Sequence, residues 1–141
     1  MTAVIEPYSE LLNGCERDFH RLGFRCRSDH PFERTYASEW GRIRFFLDPH
    51  NHPSFSVSIE DNRGNEYEIS SLREEFDGNE FKLQKQSLAE LIRQLKGAGP
   101  RGSAGYERVA RVFVRTELHN VMAFLSKFLS KILNAGPEVK R

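Results

Sequence analysis

Asp48, His50 and His52 stand two residues apart beside Pro49 and Pro53, and carboxylate with imidazole is a ligand set that suits zinc and similar ions. Side chains in a turn need not converge, and no nearby Cys, Glu or further His completes a recognisable spacing, so no metal and no cofactor are expected. A Gly-rich run, Gly97-Ala98-Gly99-Pro100-Arg101-Gly102-Ser103-Ala104-Gly105, precedes a helical pattern, where backbone amides can cradle phosphate. It follows a helix rather than a strand and has no Lys after Gly102, so it lacks the mechanics of a nucleotide-binding loop and reads as a connector.

Two charged constellations remain. Glu60, Asp61, Glu66, Glu68, Glu74, Glu75, Asp77 and Glu80 are opposed only by Arg63 and Arg73. A negative cluster of this kind steers a basic partner, or simply keeps the surface solvated. Arg108, Arg111 and Arg115, with His119 one turn on and Arg101 before them, line one side of the last helical pattern and are spaced to neutralise phosphates. Glu107 and Glu117 lie in the same stretch, which also fits a plain solvated helix face. Nucleophile elbows, zinc-protease, kinase and dinucleotide fingerprints are absent, and His20, His30 and His119 are scattered.

The 141 residues fit one domain, residues 1–141, and a chain of that length buries about 70% of its unfolded surface. Eleven Phe, four Tyr and one Trp predict a core rich in aromatic rings. Cys15 and Cys26 each fall on the apolar side of a local pattern and are expected as buried, reduced thiols. The start of the chain lacks a secretory pattern and no run reaches the roughly 18 apolar residues of a membrane span, so a cytoplasmic location is expected. Net charge is only +1, yet residues 60–80 hold two Lys/Arg against eight Asp/Glu, and residues 81–141 hold twelve against four.

These groups must be held by elements that the apolar spacing predicts. Tyr8, Leu11, Leu12, Cys15, Phe19 and Leu22 give an amphipathic helix over about 7–22, stopped by Gly23. Period-two alternation then predicts strands from Phe24, over about 32–37, over 40–47 and 54–60, and over 66–70 with Tyr67 and Ile69 inward. Turns fall at 49–53 and 62–65. Ser71 with Glu74 and Ser87 with Glu90 resemble capping boxes, predicting a short helix over about 72–76 and a second one through Leu95. A long helix over about 106–134 ends before Gly136 and Pro137. The fold class is therefore α+β: a single antiparallel sheet of four or five strands flanked by an N-terminal helix, a short middle helix and a long C-terminal helix. Phe19, Phe45, Val57, Ile69, Phe113 and Leu125 are its expected core.

The run Leu22-Gly23-Phe24, the strand Ile43-Arg44-Phe45-Phe46-Leu47-Asp48, the segment Phe55-Ser56-Val57-Ser58-Ile59 and the last helix resemble small bacterial immunity-like proteins of toxin systems. The resemblance implies a protein that binds and neutralises a cognate toxin without catalysis, and it carries over no individual site residue. The expected function is thus a non-catalytic protein-binding module whose acidic segment, Glu60 to Asp77, captures a basic toxin domain. The alternatives are a nucleic-acid-binding accessory protein using Arg101, Arg108, Arg111 and Arg115, and a small hydrolase or metal-dependent enzyme near His50 and His52. No membrane partner is expected.

Overall fold

The computed structural model describes residues 5–48, 50 and 52–135, the last two by their backbone alone. Pro49 and Asn51 of the expected turn, the Gly136–Pro137 stop and the tail beyond it lie outside the described residues. The chain runs α1 (Tyr8–Asn13), α2 (Glu16–Arg21), β1 (Arg25–His30), β2 (Glu33–Ser38), β3 (Gly41–Leu47), β4 (Phe55–Asp61), β5 (Glu66–Glu68), α3 (Ile69–Gly97) and α4 (Ala104–Ala135). The five strands form one antiparallel meander in sequence order, with each strand paired to the next. The expected α+β class is the one observed, with five strands.

Alternation decides which side of the sheet meets the helices. In β3, Ile43, Phe45 and Leu47 are buried while Arg42 and Phe46 are exposed and Arg44 is half-buried. Across the ladder Tyr36, Ile43, Ile59 and Tyr67 lie in one register row, all fully buried. That row joins Phe19, Phe24, Leu72, Val121 and Leu125 in a single contiguous core. Phe19 stacks on Tyr36 with ring centroids 3.8 Å apart and meets Phe45 edge-on, so the aromatic core read from composition is built at the junction of α2 with the sheet. All six side chains expected in the core are buried. Among the described residues no helix is long and apolar enough to cross a membrane.

Several expected boundaries are corrected. The N-terminal helix is two short ones, because at Gly14–Cys15 the backbone bonds tighten: Cys15 donates to Leu12 rather than continuing the four-residue ladder. Gly23, at φ +88°, closes α2 with Phe24 donating to Phe19 and Gly23 to His20, a left-handed cap that glycine suits. The last strand stops at Glu68, and Ile69 is buried as the first residue of α3 rather than in a strand. Ser71 and Ser87 lie inside α3, so neither acts as a cap. The backbone leaves helical geometry at Asp77 (φ −149°, ψ 45°), where the expected short helix over about 72–76 ends, and the strong helix formers from Lys82 to Gln86 carry the second stretch past Ser87. Gly97 belongs to α3, and Ala104 and Gly105 to α4. Ser103 caps α4, its Oγ accepting from the Tyr106 amide, and a Cβ on Gly105 would strike the Ala98 carbonyl oxygen. Cys15 is buried as expected, whereas Cys26 sits on the edge strand β1 and is exposed.

Two arginines that the sequence does not distinguish from surface residues are buried. Arg34, on the helix-facing side of β2, makes a bidentate pair with Asp29 of β1 and donates to Asn13 at 2.9 Å and to the Tyr36 hydroxyl at 3.2 Å. Burial opposes its charge, but the bonds to Asp29 and Tyr36 outweigh that and raise its affinity for the proton. Arg73 of α3 pairs with Glu117 of α4 at 3.0 Å, bonds Gln84 beyond the kink and lies over the Phe81 ring. It ties the two halves of α3 to α4.

Candidate interaction surface on the uncovered sheet face

The side chains opposite the core follow from register. One row runs Arg25, Ala37, Arg42, Glu60 and Glu66, the next Ser28, Thr35, Arg44, Ser58 and Glu68, and the third His30, Glu33, Phe46 and Ser56. No described helix packs on this face, because the helices all join the core on the other side. The small β2 residues Thr35 and Ala37 lie between the long arginines of β1 and β3, and a shallow depression of about 800 Å³ there is lined by Arg25, Arg27, Thr35, Arg42, Arg44 and Glu60 among others. Arg27 is the extra residue of a bulge between Cys26 and Ser28, a device that re-aims a side chain at a strand edge.

Apolar rings bound the depression. Phe46 is 38% exposed and Phe32, in the β1–β2 turn, is 49% exposed; with Phe55 they line a neighbouring groove of about 660 Å³. Trp40, 52% exposed, stands at the opposite end in the β2–β3 turn. At that turn Gly41 (φ +154°) allows β3 to approach β4, since a Cβ there would lie 2.1 Å from the Glu60 carbonyl oxygen.

The charges are partly paired within the face. Arg42 lies 3.7 Å from Glu60 and Arg44 3.5 Å from Glu66, whose carboxylate also accepts from Ser58. Arg25 and Arg27 form no ion pair among the described residues. The β1 side of the face therefore carries uncompensated positive charge, while Glu68 continues the negative side on β5.

The expected acidic site is distributed over several elements. Glu60, Glu66 and Glu68 lie on the sheet face, whereas Glu74 and Glu75 are exposed on α3, which packs against the other side. Asp61 is buried and structural: its carboxylate accepts from the Arg63 and Asn65 amides and from the Asn65 side chain, closing the β4–β5 turn. Burial alone would raise its pKa, but these bonds, led by those from Asn65, hold it below the usual carboxylate value. Asp77 is half-buried at the α3 kink and lines a small cavity with Arg73 and Phe81.

Of the basic set, Arg108 and Arg115 are exposed on α4, but Arg111 pairs with Glu10 of α1 and so helps dock that helix. Arg101, in the loop before α4, lies close enough for its charge to act on Tyr8 and His52. His52 itself packs between Tyr8, edge-on at 5.8 Å, and Tyr106, stacked at 5.9 Å, with the Tyr106 hydroxyl 3.4 Å from Nδ1. Burial lowers its pKa. Asp48 instead accepts from the His50 amide at 2.9 Å in a local turn. No group of three or more His, Cys, Asp or Glu side chains that could hold a metal ion occurs among the described residues.

Sequence reasoning missed the residues the sheet face brings together: Arg25, Arg27, Arg42, Arg44, Phe32 and Phe46. The signal was present as the polar phase of β3, where Arg, Arg and Phe occupy three successive outward positions. The chain matches no protein-family model, and comparisons with curated proteins and with solved structures likewise give no match.

Proposed function

We propose that this protein is a non-catalytic binding module that captures a protein partner on the uncovered face of its sheet. The observation that supports the reading is the outward triplet Arg42, Arg44 and Phe46 along the central strand of a sheet face that no described helix covers, with exposed Phe32 beside Phe46 at one end. Aromatic residues and Arg are the types enriched in the energetic centres of protein interfaces. Neutralisation of a bacterial toxin in the cytoplasm, the role implied by the resemblance to immunity-like proteins, is the form of this function we favour. The acidic residues Glu60, Glu66 and Glu68 take part as the negative side of the same face, not as a separate site. The test is binding of a partner recovered by pull-down. Arg44→Ala and Phe46→Ala should each weaken it about tenfold or more, the scale of a hot-spot loss. Glu74→Lys with Glu75→Lys should change it much less. The opposite ranking would move the interface to α3 and refute the proposal.

A further inference from the structure

The face is electrically polarised, and that polarity defines its occupant. Arg42 and Arg44 already have carboxylates from Glu60 and Glu66 within 4 Å, but Arg25 and Arg27, on β1, have none among the described residues. The bulge at Arg27 turns this side chain toward the same depression that Arg25 lines. At the other end of the face, Phe46 and Phe32 offer a groove bounded by Phe55. Arg25 shares a register row with Arg42, and Phe46 lies four residues further along β3, about 13 Å in the strand direction.

Resting on the protein-binding reading, we infer that the occupant is an acidic, extended polypeptide segment of the partner. Its carboxylates sit on Arg25 and Arg27, and a large apolar side chain about four residues away enters the Phe32–Phe46 groove. Carboxylate on guanidinium supplies paired, directional hydrogen bonds, and the apolar anchor supplies burial. A nucleic acid fits less well, because a phosphate at every residue would run against Glu33, Glu60, Glu66 and Glu68 on the same face. This reverses, at the β1 side of the face, the polarity expected from the acidic run: that side recruits carboxylates.

The probe is a fluorescein-labelled peptide with glutamates at alternate positions followed by a phenylalanine, read by anisotropy and by backbone amide shifts. Controls are the same peptide with lysine for glutamate, the same with serine for phenylalanine, and single-stranded oligouridine. The acidic peptide should bind saturably, shift amides of β1 to β3 and weaken with added salt. Arg25→Glu with Arg27→Glu should weaken it at least tenfold, and Phe46→Ser should do likewise, with unchanged circular dichroism. Failure of the acidic peptide to saturate at millimolar concentration, equal or tighter binding of the lysine peptide or of oligouridine, or indifference to the Arg25/Arg27 reversal would each overturn the inference. The same variants assayed against a partner recovered by pull-down separate the two levels of argument. Loss with Phe46→Ser but not with the arginine reversal leaves the face as the interface and removes the acidic occupant. Loss with neither removes both.

Discussion

Replacing Arg34 by Met keeps most of the volume of the side chain while deleting every polar contact it makes. The guanidinium is 3% exposed and holds Asp29 through two bonds of 3.0 Å, as well as Asn13 and Tyr36. Removing one partner of a buried ion pair costs about 3–5 kcal/mol. Asp29 is 28% exposed, so its carboxylate can regain water, which brings the pair to the low end or below, about 2–3 kcal/mol. The Tyr36 hydroxyl is fully buried and loses a partner, adding about 1 kcal/mol. The total is about 3–4 kcal/mol, or roughly 10 °C in melting temperature for a chain of this size. Arg34→Lys retains the charge without the planar fork and should lose about half as much. Urea unfolding measures both variants. Hydrogen exchange should show α1 losing protection first, since Arg34 holds Asn13 and Ser9 of that helix to β2. An Arg34→Met protein within about 0.5 kcal/mol of wild type would refute the claim that this arginine fastens α1 to the sheet.

Two further outcomes follow from the same geometry. The Asp61 carboxylate has its pKa lowered by folding, so as pH falls the unfolded chain takes up its proton first, beginning near the ordinary value of about 3.9. The stability it contributes is complete above that value and is lost as pH drops through the lowered folded value. Urea unfolding between pH 7 and pH 2 should therefore show Asp61→Asn less stable at neutral pH by about 1–2 kcal/mol, with the gap closing in acid; a constant gap would mean that the carboxylate charge is not what holds the turn. The Cys15 thiol is buried and pushed up to about 11, whereas Cys26 is exposed, so a thiol reagent at pH 8 should modify one cysteine per native chain quickly, and Cys26→Ser should abolish that fast phase. Two equally fast thiols would contradict the burial of Cys15.

The fold was legible where one period dominated. Ile43, Phe45 and Leu47 alternate without interruption, and both the strand and its buried phase follow from that alone. Boundaries failed where local chemistry offered a cap that tertiary structure did not use. Ser87 with Glu90 has the composition of a helix start, but preceding residues with good helix propensity and the contacts of Phe81 and Arg73 make continuation the lower-energy choice. Arg34 and Arg73 were illegible for a related reason. A buried cation is recognised only through its partners: Asp29 meets Arg34 only once β1 and β2 pair in register, and Asn13 and Glu117 lie 21 and 44 residues away along the chain.

The interaction face was harder to read because no segment contains it. Arg25 and Arg27 come from β1, Arg42, Arg44 and Phe46 from β3, and each strand supplies only every second residue, so along the chain these residues look like the ordinary solvent phase of amphipathic strands. The acidic run has the reverse property. It is contiguous in sequence and conspicuous in a charge count, yet folding assigns Asp61 to a turn, Glu60, Glu66 and Glu68 to the sheet face, and Glu74 and Glu75 to a helix that packs on the other side. Linear charge density thus overstates an interface when the segment crosses from sheet to helix. It understates one when the charges are interleaved with core positions. In this molecule, the register of a five-strand meander, rather than proximity along the chain, decides which charges act together.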